Sequence, residues 1–111
     1  MENKKIKFTY DGHEITLEYT RDIVSRLERS GLVIGDLGKM PQTVTTMLYE
    51  GAFLANHRKI KDSTIKEIWR HIKNKEDFVS KLAEMYIETR DTLFDEPDED
   101  DEKNVSWEAT F

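Results

Sequence analysis

Cysteine is missing from all 111 residues. Its absence removes disulfide staples, thiol nucleophiles and thiolate metal sites together. No apolar run approaches the ~18 residues of a membrane span, and the opening Met1 to Lys5 is polar, unlike a signal peptide. The expectation is a cytosolic protein without a membrane partner. Proline occurs twice and glycine five times, so helices are seldom interrupted and these residues act as punctuation. Hydrophobic residues supply only 37% of the chain, against 36% charged. A chain of this length can close one core, burying about 65% of its unfolded surface; the surplus polarity fits solvated helices plus a disordered piece.

A net excess of either charge is also missing from most of the chain. The formal net charge is -6, yet the stretch 95–103, DEPDEDDEK, by itself carries seven acids and one lysine. Everything else is therefore neutral in sum, and the acidity belongs to one tether too polar to order itself by burial.

Between residues 5 and 19 the chain reads as a β-hairpin. Asp11-Gly12 suits a two-residue type I′ turn, which sets Tyr10 opposite His13, Phe8 opposite Ile15 and Ile6 opposite Leu17. The apolar residues then share one face, while Lys5 meets Glu18 and Lys7 meets Thr16 on the other. Thr20 is placed to cap a helix over 21–30, with Tyr19 and Val24 at staple positions. Gly31 is placed to end it in a Schellman motif closed by Leu32 on Leu27.

A second helix is expected over 42–58, started by Pro41. Its Val44, Met47, Leu48, Ala52, Phe53, Leu54 and Ala55 spread too widely for a narrow stripe. That distribution marks a largely buried helix, the surface shared by its neighbours. Gly51 inside it costs about 1 kcal/mol of propensity, which implies a close approach by another segment. Helices follow over 63–73, capped by Asp62 or Ser63, and over 75–93, capped by Asn74 with Asp77 as a weaker capping box. Phe78, Leu82, Met85, Tyr86 and Leu93 are expected to face the core. The fold class is α+β: an N-terminal hairpin and about four helices in one domain over 1–94, an acidic linker over 95–103 and an apolar docking peptide over 104–111. In that peptide Val105, Trp107, Ala109 and Phe111 alternate with polar residues, as in a half-buried strand. Pairing with the chain's own hairpin and addition to another chain both fit this pattern.

Motifs for chemistry are scarce. Gly38-Lys39 lacks the P-loop glycine five residues earlier, where Val33 stands, and the following Ser or Thr, where Met40 stands. His13, His57 and His71 fall on separate elements without metal-ligand spacing. Asp95 to Glu102 lacks the glycine and ligand order of an EF-hand, and no serine nucleophile elbow occurs. Asn104-Val105-Ser106 matches a glycosylation acceptor, without consequence in a cytosolic protein. Neither enzyme activity nor a cofactor or metal is expected. The segment 57–75, by contrast, holds seven cations against Asp62 and Glu67. It reads as a solvated helical face, as a site for phosphates or an acidic protein, or as a partner for the acidic tether of another copy. Trp69 reads as core by its spacing from Ile65; exposed, it would favour binding. The residues expected to meet partners are Arg58, Lys59, Lys61, Lys66, Arg70 and Lys73, with Val105, Trp107 and Phe111.

The blocks KIKFTYDGHEITLEYTRD, LYEGAFLANHRKI, KLAEMY, DEPDEDDE and VSWEATF occur in this order along the chain. Over nearly its full length the sequence resembles the tail assembly chaperones, small proteins encoded in the tail gene clusters of long-tailed bacteriophages and prophages. The resemblance implies a non-catalytic factor that coats the hydrophobic tape-measure protein and is displaced as the tube assembles, with the tail-tube protein as a second candidate partner. It also implies a protein of the bacterial cytoplasm, absent from the mature virion, and a short product or the shared N-terminal part of a frameshift-extended one. Self-association into rings or filaments is expected through the hairpin edge, the basic segment and the Trp107 peptide, which makes the protein a homo-oligomer. The blocks transfer no residue of known role. Two other functions fit the same sequence. A virion structural or head-to-tail completion protein would persist in particles. A small nucleic-acid-binding regulator would use the 57–75 segment, although a neutral body and an acidic tail oppose it.

Overall fold

The computed structural model describes residues 4–111. Two antiparallel strands, β1 (Ile6–Tyr10) and β2 (His13–Leu17), open the chain in the register that the sequence predicts, Tyr10 with His13 and Ile6 with Leu17. Asp11 and Gly12 both take positive φ, 49° and 80°, as a type I′ turn demands. Lys5 lies 3.9 Å from Glu18 on the solvent face.

Four helices follow: α1 (Arg21–Arg29), α2 (Pro41–Gly51), α3 (Asp62–His71) and α4 (Lys75–Asp91). The Thr20 hydroxyl accepts the Ile23 N–H at 3.2 Å, capping α1. At its far end Gly31 (φ 104°) lets the Leu32 N–H reach the Leu27 carbonyl at 2.9 Å and its own N–H reach Glu28 at 3.0 Å. This is the expected Schellman closure. A short 3-10 turn, Ile34–Asp36, crosses the connector to α2.

The core forms where α2 meets α1 and α4, with β2 closing it. Leu17, Tyr19, Leu48, Phe53, Ile68, Leu82 and Tyr86 are all but sealed from solvent. Tyr19 ties three elements together: its hydroxyl donates 2.7 Å to the Leu48 carbonyl of α2, and its ring meets Tyr86 of α4 edge-on at 5.5 Å. Burial, with Tyr86 alongside, pushes its phenol well above the ordinary range. Tyr49 plays the same part for α3, donating to the Ile65 carbonyl and packing against Trp69 and Phe78. Gly51 is small for the reason expected. A Cβ there would stand 2.7 Å from Leu27 Cδ1 of α1.

The structure corrects several expected boundaries and caps. The second helix stops at Gly51, not near residue 58: bonds from Phe53 to Glu50 and from Leu54 to Gly51 tighten to i−3, and turns carry 52–56 toward β2. Apolar Ala52 to Ala55 suit a helix locally, but bonds to the β2 edge redirect them. Neither Asp62 nor Ser63 caps α3; Lys61 stands at that cap with no side-chain bond. Asn74 is left-handed (φ 55°) and its side chain caps nothing. The last helix ends at Asp91 in a 3-10 turn, Thr92–Phe94, which leaves Leu93 exposed rather than in the core. Residues 104–111 form no strand.

Candidate functional site

Among the described residues no three His, Asp or Glu side chains are placed to hold a metal ion, and no helix is long and apolar enough to cross a membrane. His57 is occupied structurally: its Nε2 accepts the Thr16 backbone N–H at 3.0 Å, which places the ring proton on Nδ1. Asn56 beside it donates to Glu18 Oε1 at 2.8 Å, and the Glu18 N–H reaches the Ala52 carbonyl at 3.2 Å. Together these groups cover the outer edge of β2. His71 lies on α3 with its ring 6.0 Å from that of Tyr10.

The basic residues are distributed over several elements. Arg58 and Lys59 sit in the turns after α2, Lys61 just before α3, Lys66 and Arg70 one turn apart on α3, and Lys73 in the link to α4. All six are exposed, and among the described residues none makes an ion pair. Lys66 borders an open cleft of about 410 Å³ whose wall includes Pro41, Thr45, Tyr49 and Trp69. Arg58 and Lys59 border another of about 490 Å³ with Tyr10, His13 and Ile68. Trp69 itself is half-buried, wedged at 5.1 Å from Tyr49 with the Lys75 ammonium 5.6 Å above it. It joins the core rim and is no free anchor.

The closing peptide is the opposite case. Val105, Trp107 and Phe111 are exposed, Trp107 at 82%, although large apolar side chains in the open mark contact surfaces more often than chance placement would. In the preceding stretch the Asp95 N–H bonds back to the Thr92 carbonyl, and the remaining hydrogen bonds stay within 98–104, from Asn104 to the Asp98 and Asp101 carbonyls, from Lys103 to the Asp101 carboxylate and from Asp101 to the Asp98 carbonyl. The structure thus keeps the basic segment on the body and the apolar peptide away from it.

The sequence points to the hairpin edge as a surface for self-association, and the structure shows which of its two edges is open. The ladder leaves β1 with an uncovered edge, since the sheet has only two strands and the 52–57 segment covers β2. Its trace in the sequence is the apolar row Ile6, Phe8 and Tyr10 alternating with Lys5, Lys7 and Thr9, a mix typical of edge strands.

No curated protein and no solved structure matches the chain. A family model described as "Domain of unknown function (DUF5055)" matches residues 1–111, the entire length, and the protein belongs to that family.

Proposed function

We propose that this protein is a non-catalytic tail assembly chaperone, which holds the tape-measure protein through repeated weak contacts while associating with its own kind, with the tail-tube protein as a second candidate partner. Its workplace is the cytoplasm of a bacterial host, and it leaves before the particle is finished. The observation that supports this most is the split between a sealed core and an exposed adhesive periphery. Trp107 and its apolar neighbours are held out behind seven acids, and the body presents open clefts edged by Lys66, Arg58 and Lys59. Contacts of this kind are weak singly. Repeated along an extended client they add avidity, yet each releases without a large barrier.

Co-expression with the tape-measure protein tests the reading. The client should remain soluble only when this chain is present; a client equally soluble alone, or insoluble in both cases, contradicts it. Mass spectrometry of mature particles should find the chain missing or scarce, and a stoichiometric copy number would instead make it a structural component.

A further inference from the structure

The hairpin has one covered edge and one open edge, and the ladder parity says which groups are free. Thr16 and Glu18 donate away from β1, to His57 and Ala52, so Thr16 belongs to a pair that is not hydrogen-bonded within the hairpin. Lys7, its partner, and Thr9, two residues on, therefore also turn N–H and C=O outward. No hydrogen bond among the described residues reaches those groups. The apolar face is unfinished on the same side. Ile15 and Leu17 of β2 are buried, while Ile6, Phe8 and Tyr10 of β1 are covered only in part.

We propose that the closing peptide of a second copy adds to β1 as an antiparallel third strand, with Trp107 opposite Phe8. Both faces match in this register: Val105 meets Tyr10 and Ala109 meets Ile6 on the apolar side, while Glu108 meets Lys7, Ser106 meets Thr9 and Thr110 meets Lys5 on the other. Lys7 and Thr9 supply the bonded pairs, and Trp107 with Phe8 takes the closer non-bonded position, where aromatic pairs gain most. A parallel strand with the same Trp107–Phe8 pairing would set Glu108 against Thr9 and leave Lys7 without an acid. The antiparallel direction also carries the acidic stretch past Tyr10. There Arg58 and Lys59 line the neighbouring cleft and His71 lies close by, opposed by Asp11, Glu14 and Glu67.

A second copy fits better than the chain's own tail. Lys4 bridges Glu84 and Glu88 at 2.8 Å each, fixing the start of β1 beside the last turns of α4, from which the tail departs. To enter at the Tyr10 end of its own strand, the tail would have to run back along all of β1. Its about ten residues, roughly 33 Å fully stretched, could span the roughly 17 Å of β1, but only by carrying seven acids past Glu84, Glu88 and Asp91. Between copies no such path is needed. Because donor and acceptor surfaces differ, the contact is head-to-tail and builds rings or filaments.

The inference rests on the self-association part of the proposed function and not on its client. Every core residue lies before Asp91, so removing 104–111 leaves the core intact. Thr9→Pro deletes an outward donor without touching the bonds inside the hairpin. By sedimentation equilibrium the full chain should rise with concentration to twice its 13.1 kDa or more, and each variant alone should stay monomeric. Mixing the two variants should restore a 1:1 dimer that grows no further, because only one edge and one tail remain. A full chain that is monomeric at all concentrations, or that still assembles without 104–111, overturns the proposal. If circular dichroism shows Thr9→Pro unfolded, the truncated chain titrated with the free 104–111 peptide decides: shifts must centre on the Lys7 and Thr9 amides, and shifts elsewhere overturn it. A monomer that still keeps the tape-measure protein soluble would sink this inference and spare the client reading.

Discussion

Single residues carry the joints of this molecule, and three of them give direct tests. Gly51 sits against Leu27, so Gly51→Ala should destabilise by about 1–2 kcal/mol, overpacking outweighing a helix-propensity gain below ~1 kcal/mol. In a Leu27→Ala background the same change should become neutral or stabilising, a coupling that denaturant melts of the four chains will read. His57→Leu removes the acceptor for Thr16 and should cost about 1–2 kcal/mol in the same melts. Glu84, bonded by Lys4, is held below its ordinary 4.5. A depressed carboxyl favours the folded state at pH above the unfolded value, and that contribution disappears as pH falls through the lower folded value. NMR titration of Glu84 should therefore move upward in Lys4→Ala. The Gly51 contact was legible, because a costly residue among helix formers requires a reason. The role of His57 was not, since its partner Thr16 lies 41 positions away and no local pattern announces a histidine that covers a strand edge.

At the scale of elements, local chemistry was decisive where it had no competitor. Asp11-Gly12, the alternation on either side of it and the Thr20 to Gly31 punctuation define the hairpin and α1 without help from the rest of the chain. Tertiary bonding prevailed elsewhere. Ala52 to Ala55 look helical but turn to satisfy β2, and Asn74, a sound N-cap by residue type, is used for its tolerance of positive φ. The two roles can be separated. Ser caps a helix as well as Asn does but resists the left-handed region, so Asn74→Ser should cost about 1 kcal/mol while Asn74→Gly should be neutral. Equal stability of the Ser variant and wild type in thermal melts would return Asn74 to a capping role. Leu93 shows another limit: helical spacing pointed it inward, but α4 gives way to a 3-10 turn first and the side chain emerges in solvent.

The whole molecule is a core with an outrigger. Its radius of gyration is 16.9 Å, against about 13 Å for a compact domain of this length, and the surplus accompanies a tail that is exposed throughout. Composition alone located that tail and its charge. The hairpin edge was also legible as a contact surface, but not which of the two edges stays open, because that is decided only once β2 has been covered from the other side. The account joins these two exposed parts across copies, and backbone amide exchange examines that junction most directly. In the full chain the Lys7 and Thr9 amides should exchange more slowly as protein concentration rises, whereas in the chain lacking 104–111 they should exchange fast at every concentration, with Thr16 and Glu18 protected in both. Equal exchange at Lys7 and Thr9 with and without the closing peptide would contradict the account.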